Sequence, residues 1–473
     1  MIREITLTNF QGFKGEQTVR LAPITLIFGP NSAGKSSIGR ALRLLKQSND
    51  STFDFVGPEV NLGHIENAIY GQGSENDVSE LSVALKLDPL KGDVPQNFQI
   101  ICKLSQNFNP DQEGTYQPTF ATTGIVYKNQ SDRQAFILVE SEVEGPADSL
   151  TITDPGSVED LIWSSSTEKL RTVDQILEQA SQTSDDKTLL EILNTACTFE
   201  VQGPGIVAMA QIHESELPDD DVVSPTRRRA KHLEVFWDKL VRSVFVHLKS
   251  VRHLIPLRET PSRVVLNEKL KSPLDASAFD LNLTNYWLGR LTGGRYKFVS
   301  TRHLLQEDLG EPLQLTSNYV VDLYTGALVG FDDLGTGIGQ VLPVLQALCP
   351  PTYSKASGAI LIVEQPELHL HPAMQAGVFD AIQDAIGGHR IQQILIETHS
   401  EAMLLRLQRA IRRGEIKPED ATLVFVEPSP ITEGEPGARR HNLMYNIEFL
   451  PTGELESALP LSFAGLRLSD LVD

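Results

Sequence analysis

Residues able to do chemistry gather in three places along this chain. The first is Gly29-Pro30-Asn31-Ser32-Ala33-Gly34-Lys35-Ser36, with Ser37 directly behind, which fits the spacing G-x-x-x-x-G-K-[ST]. Glycines let the backbone turn its N–H groups onto an anion, the lysine adds a point charge, and the hydroxyl can ligate a divalent cation. That chemistry suits the β- and γ-phosphates of a nucleoside triphosphate with Mg2+.

The second place is Glu364-Gln365-Pro366-Glu367-Leu368-His369-Leu370-His371-Pro372, after the aliphatic run 359–363, together with Glu397-Thr398-His399-Ser400 after Gln393-Ile394-Leu395-Ile396. A carboxylate at the carboxyl end of a central strand stands where open α/β sheets bind nucleotides. Glu364 is therefore placed to hold Mg2+ through water, and His399 to hydrogen-bond a γ-phosphate. By residue type, His369 and His371 beside two carboxylates fit a metal site. A loop capping the next helix is the weightier reading, because Ser36 and Glu364 already fill the magnesium role. The third place is Asp332-Asp333-Leu334-Gly335-Thr336-Gly337-Ile338-Gly339-Gln340, before an apolar helical segment. It reads as a second anion-binding helix start, with Gly337 allowing close backbone approach to phosphate, although the glycine spacing alone also fits a flexible turn.

The elements that must position these groups follow from periodicity. Ile24-Thr25-Leu26-Ile27-Phe28 reads as a buried strand feeding the first loop, and Ile38, Leu42 and Leu45 share one face of the helix after it. The first twenty residues, then Leu81, Val83, Leu85 and Leu87, then Phe98-Gln99-Ile100-Ile101 and Phe136-Ile137-Leu138-Val139, alternate as an antiparallel sheet with one wet face. After Asp154-Pro155-Gly156 the period becomes helical, with Leu233, Phe236, Leu240, Val244 and Leu248 on one face. Strand–helix alternation resumes at about 319 and runs to 426, the mark of a parallel α/β sheet. Within it, Met374, Val378, Ile382 and Ile386 line a helix that Gly387-Gly388 ends. A strand at 422–426 and a hairpin at 444–450, turning at Pro451-Thr452-Gly453, close the pattern. The expected fold is an α/β core in two halves, 1–90 and 241–473, separated by a β-then-helical insertion at 91–240.

Composition excludes several classes. Lys and Arg number 41 against 62 Asp and Glu in 473 residues, a net charge of −21 that argues against passive coating of nucleic acid. Cys102, Cys197 and Cys349 form no C-x-x-C, so neither a disulfide scaffold nor zinc-finger spacing is present, and a reducing compartment fits. Met1-Ile2-Arg3-Glu4 is charged where a signal peptide is apolar, and no run approaches the ~20 residues of a membrane span. A cytoplasmic protein with no membrane partner is expected. Asp219-Asp220-Asp221 reads as a solvated loop rather than a metal cluster. Arg227-Arg228-Arg229 with Lys231 fits a phosphate backbone or a polar helix start equally well. Phe10 or Phe13 can stack on a base, although core packing is the commoner use.

In this order the motifs resemble the ABC-type ATPase superfamily, which includes transporter motors and SMC-type DNA-repair ATPases. Residues 29–36 are similar to Walker A, 334–340 to the signature, 360–364 to Walker B, and His399 to the switch histidine. The two acidic phrases, and 250–263 with Pro256-Leu257-Arg258 and Pro261, resemble the OLD-like branch of the OLD-like and SMC-like bacterial AAA family. The likeness covers 1–70 and 245–450. It implies an ABC-type head using ATP and Mg2+, a homodimer or higher oligomer with Walker A of one subunit facing the signature of the other, and roles for residues 29–37, Gly335, Gly337, Gly339 and Gln340 around the nucleotide. It also implies an effector in a separate chain, a nuclease or toxin of anti-phage defence or a toxin–antitoxin system, since the stretch after Ser400 is too short for a fused Toprim nuclease.

Two departures bear on rate. Gln365 stands where these enzymes carry a catalytic glutamate, and an amide cannot take a proton from water. Gly339 stands where the signature usually has serine. Glu367 or His399 can compensate. The first expectation is thus a slow ATPase that gates an effector. The alternatives are a non-hydrolysing scaffold that sequesters one, and an SMC-like DNA-repair ATPase, weakened by the missing coiled coil and by the charge.

Overall fold

The structure is a computed structural model that describes residues 1–47, 55–63, 67–70, 80–87, 98–105, 120–128, 134–142, 197–201, 208–212, 248–258, 264–266, 279–305, 313–351, 359–429 and 441–457. Its chain divides into two compact units: Met1–Leu21, Asn31–Lys249 and Glu427–Met444 form one, and Ala22–Pro30, Ser250–Val426 and Tyr445–Asp473 the other.

The first unit is built on a six-stranded antiparallel sheet. Its strands are β1 (Ile2–Thr8), β2 (Glu16–Arg20), β4 (Glu80–Leu87), β5 (Phe98–Ser105), β6 (Phe120–Lys128) and β7 (Gln134–Glu142), in the order β2-β1-β4-β5-β6-β7. Period-two patterning puts Leu81, Val83 and Leu85 on the dry face, all buried. The β4–β5 ladder pairs Leu87 with Phe98. β8 (Cys197–Val201) and β9 (Ala208–Ile212) pair with each other. Helix α1 (Ser36–Gln47) buries Ile38, Leu42 and Leu45, the face its sequence spacing marks. The helical segment expected at 233–248 lies outside the described residues except for Leu248, as do Asp219-Asp220-Asp221, Arg227-Arg228-Arg229 and Lys231.

The second unit carries a sheet ordered β10-β15-β16-β3-β17-β18. Its strands are β10 (Val251–Leu254), β15 (Ala359–Glu364), β16 (Ile391–Glu397), β3 (Ile24–Phe28), β17 (Ala421–Pro428) and β18 (Asn442–Ile447). The pairs β10/β15, β15/β16, β16/β3 and β3/β17 are parallel. All five residues of β3 are buried, because a parallel strand has both faces covered and reads as one apolar run. Helices α2 (Leu281–Leu291), α3 (Thr336–Leu348), α4 (Pro372–Gly387) and α5 (Glu401–Arg412) supply apolar residues such as Leu288, Leu345, Phe379 and Leu407 to the core around it. α4 ends at Gly387 and buries Val378 and Ile382, as its spacing predicts. The turn at 451–453 closes a short antiparallel bridge between Phe449 and Leu455, while β18 lies at the edge of the main sheet. Two features escape a reading of periodicity: α2, and the hairpin of β12 (Tyr296–Leu305) and β13 (Leu313–Asp322), joined by β11 (Val264–Leu266) and β14 (Leu328–Val329).

Register aligns the strand ends of this unit. Glu364 pairs with Glu397, and Glu397 pairs with Ile27. The carboxyl ends of β15, β16 and β3 therefore form one edge, from which Gly29 and Pro30 leave.

Candidate functional site

The phosphate-loop sequence bends through alternating backbone conformations, with φ of 148° at Gly29, 62° at Ser32 and 89° at Gly34. Positive φ at glycine and at residues near a helix start is the local backbone geometry from which anion nests are built. Gly29 is constrained tightly, since a Cβ there would stand 2.0 Å from the Val426 carbonyl oxygen. Gly29→Ala is expected to destabilise the fold by roughly 1–3 kcal/mol, the range for forced overpacking against groups that cannot yield. Urea unfolding measures it, and an unchanged midpoint would contradict the close approach. Lys35 is only 4% exposed. Ser36 opens the helix, and the Ser37 hydroxyl donates to Gln11 Oε1 at 2.6 Å, which fixes the first turn. Phe10 and Phe13 are fully buried, with the Phe13 ring against Gly34. They pack the core and leave no face for a base.

At the acidic edge of the second unit Glu364 is held from two sides. His253 Nε2 lies 2.7 Å from its Oε1, and Arg258 Nη2 donates to its backbone carbonyl at 2.6 Å. Gln365 has a left-handed φ of 45°, and its N–H donates to the Glu397 carbonyl at 2.7 Å. Glu367 Oε1 accepts from the His399 backbone N–H at 2.7 Å, while its Oε2 is buried with no hydrogen-bond partner. Burial pushes the Glu367 carboxyl above the usual range, against the pull of the His399 N–H and of Arg258. The His399 side chain is exposed, and Ser400 caps α5 through Met403 N–H.

His369 and His371 divide as the capping reading expects. His371 accepts the Ala373 N–H at the start of α4, and His369 is exposed. Among the described residues no group of three or more His, Cys, Asp and Glu is arranged to hold a metal.

The glycine-rich segment enters α3 with Gly335 as N-cap and no side chain capping it. A Cβ on Gly335 would meet nothing within 4 Å, whereas one on Gly337 would lie 2.9 Å from the His369 carbonyl oxygen. The need for glycine at 337 thus arises inside the chain, and only Gly335 has open space before it. Gly339 is buried, and the carboxamide of Gln340 is engaged by the Arg258 backbone, accepting its N–H at 3.2 Å and donating to its carbonyl at 2.9 Å. Thr336 is the exposed hydroxyl at this helix start.

The structure thus gathers Glu364, Gln365, Glu367, His399 and, through Arg258, Gln340 in the second unit; residues 31–37 belong to the first. Four residues without a role in the sequence reading stand out: Gln11, His253, Arg258 and Thr336. Arg258 is visible there only within the Pro256-Leu257-Arg258 phrase, and His253 stands between Arg252 and Leu254 in a strand too short to signal anything.

A parallel sheet with a phosphate-loop sequence leaving an inner strand, in a chain that also carries an antiparallel β sheet, is the architecture of an ABC-type P-loop ATPase head. The chain belongs to the AAA ATPase domain family, whose pattern matches residues 1–199 and 304–404. Among solved structures it is similar to an SMC head bound to the C-winged helix domain of ScpA, at 12% identity, TM-score 0.42, covering 94% of this chain and 97% of that one. It is also similar to the SMC head with an extended coiled coil bound to the C-terminal domain of ScpA from Pyrococcus furiosus, at 14% identity and TM-score 0.42, over 100% and 99%. The SMC head domain from Thermotoga maritima follows at 10% identity and TM-score 0.36, over 94% and 98%. No curated protein matches the chain.

Proposed function

We propose that this ATPase binds Mg2+-ATP on residues 29–37, hydrolyses it slowly, and associates around the nucleotide as a homodimer that controls a separate effector, a nuclease or toxin of anti-phage defence or a toxin–antitoxin system. One observation carries the catalytic part: Glu364 and Glu397 are paired in register beside the strand that leads into Gly29, so Glu364 and the His399 loop share one sheet edge with the start of the phosphate loop. Lys35 and the nest of N–H groups bind the phosphates. Ser36 and Glu364 would hold the magnesium, with His253 fixing the Glu364 carboxylate. A bound Mg2+ would neutralise charge developing on the phosphoryl oxygens. His399 reaches the γ-phosphate, and Glu367 ties its backbone in place. Of the signature residues Gly335, Gly337, Gly339 and Gln340, Gly335 is the one with open space for a partner's phosphate, with Thr336 as its hydroxyl.

Gln365 favours a second reading, a scaffold that binds ATP and turns over negligibly. Phosphate release from purified protein with Mg2+-ATP separates the two: no release above background supports the scaffold.

Association is tested at Gly335. Its φ of −55° and ψ of 138° suit any residue, and a side chain there meets nothing in its own chain. Gly335→Val is therefore expected to abolish dimerisation induced by a non-hydrolysable analogue while preserving the melting temperature and the nucleotide affinity. Gly337→Val is expected to lower the melting temperature, because its side chain meets the His369 carbonyl. Light scattering decides it; a Gly335→Val protein that dimerises normally removes the sandwich.

A further inference from the structure

Arg258 is 6% exposed and lies just beyond β10. Its backbone is gripped by the Gln340 carboxamide through two hydrogen bonds of 3.2 and 2.9 Å, a peptide-like clamp onto the first turns of α3. Its guanidinium spends Nη2 on the Glu364 carbonyl at 2.6 Å. Nε and Nη1 are buried without hydrogen-bond partners, and so is Glu367 Oε2. Burial lowers the guanidinium pKa to about 10, opposed by the charges of Glu367 and Glu364. An unmet buried donor costs about 1–3 kcal/mol. An arginine that only filled space would be replaced at lower cost by an apolar side chain of its length.

We propose that Arg258 is the positioning residue that couples the signature helix to the acidic strand end, transmitting a change at 335–340 to Glu364 and Glu367. The inference deepens the ATPase reading and rests on it for the roles of those two carboxylates. The path is short and continuous: the start of α3, Gln340, the Arg258 backbone, its guanidinium, then the Glu364 carbonyl. Beyond this lies Glu367, which holds the His399 N–H. A guanidinium suits the task because its planar fork fixes direction, which a lysine ammonium does not.

The test compares wild type, Arg258→Met, Gln340→Leu and the double variant. Gln340→Leu releases the clamp without touching the buried charge, so it still reports if Arg258→Met fails to fold. Calorimetry with a non-hydrolysable ATP analogue and Mg2+ should give affinities within about threefold for all four. Single-turnover hydrolysis should fall roughly tenfold to hundredfold in each single variant, the scale of a misplaced catalytic group, and the double variant should fall no further. Hydrogen exchange supplies a readout independent of turnover. In wild type the analogue should slow exchange both at 335–340 and at the His399 amide; in the variants the first response persists and the second is lost. Multiplicative losses in the double variant, or an unchanged His399 response, overturn the coupling. Failure of wild type to bind the analogue would instead overturn the ATPase reading, and calorimetry shows this separately.

Discussion

Lys35→Ala is expected to lower the affinity for Mg2+-ATP by roughly tenfold to a hundredfold. The expectation follows from the loop's division of labour. The loop's backbone N–H groups are not altered by the substitution, and the chain packs closely at Gly29 against the Val426 carbonyl and at Gly34 against Asn442 and Phe13. Those N–H groups retain part of the binding. What is lost is a charge-assisted contact to the β- and γ-phosphates, and hydrogen bonds to charged groups contribute about 1.5–3 kcal/mol. At about 1.4 kcal/mol per factor of ten, this is one to two orders of magnitude in Kd. Lys35 is already buried and has partners of its own in the fold, so the substitution also carries a folding cost, which the melt reports separately. Calorimetry on wild type and Lys35→Ala, with a thermal melt as control, checks the affinity. Equal affinities would remove residues 29–36 from nucleotide binding.

The phosphate loop and the sheet edge are legible in the sequence because each rests on a local rule. A strand whose five residues are all apolar leads into G-x-x-x-x-G-K-S, and the alternation of Leu81, Val83 and Leu85 fixes which face of β4 is dry. The register that sets Glu364 level with Glu397 is read from the fold, since equal run lengths do not fix how two strands align. What stays hidden is long-range. His253 meets Glu364 across 111 residues of chain, and Gln340 meets Arg258 across 82. No periodicity encodes such pairings, because they depend on which strand the sheet places beside β15. The glycines of 335–339 show the same limit from the other side. Their spacing marks a helix start open to an anion, but only the fold shows that Gly337 faces the His369 carbonyl, Gly339 is buried and Gly335 faces open space. The hairpin of β12 and β13 was equally invisible, its alternation being mixed with polar residues on both faces.

Gln365→Glu is expected to raise the single-turnover rate of ATP hydrolysis by at least tenfold with little change in nucleotide affinity. The position directly after Glu364 carries an amide, which can orient a water but cannot accept its proton, and general-base catalysis contributes ~10²–10⁴-fold. The comparison is clean in two respects. Glutamine and glutamate are nearly the same size, and the left-handed backbone at 365, with φ of 45°, costs about the same for either. The backbone bond from Gln365 N–H to the Glu397 carbonyl is untouched by either side chain. A rival account has Glu367 as the base. Burial raises its carboxyl, which suits a proton acceptor; the His399 N–H on Oε1 works against that, and its Oε2 is enclosed and unpaired, which does not suit contact with a water attacking from outside. Under that account Gln365→Glu sets a second charge beside Glu364, and the rate stays level or falls. Glu367→Gln separates the accounts, because a carboxamide oxygen can still accept the His399 N–H while the proton-accepting charge is gone. With Gln365 as the missing base, Glu367→Gln reduces the rate modestly and Gln365→Glu raises it. Abolition of hydrolysis in Glu367→Gln, joined to no gain in Gln365→Glu, would show that the base was present all along, three residues beyond Glu364.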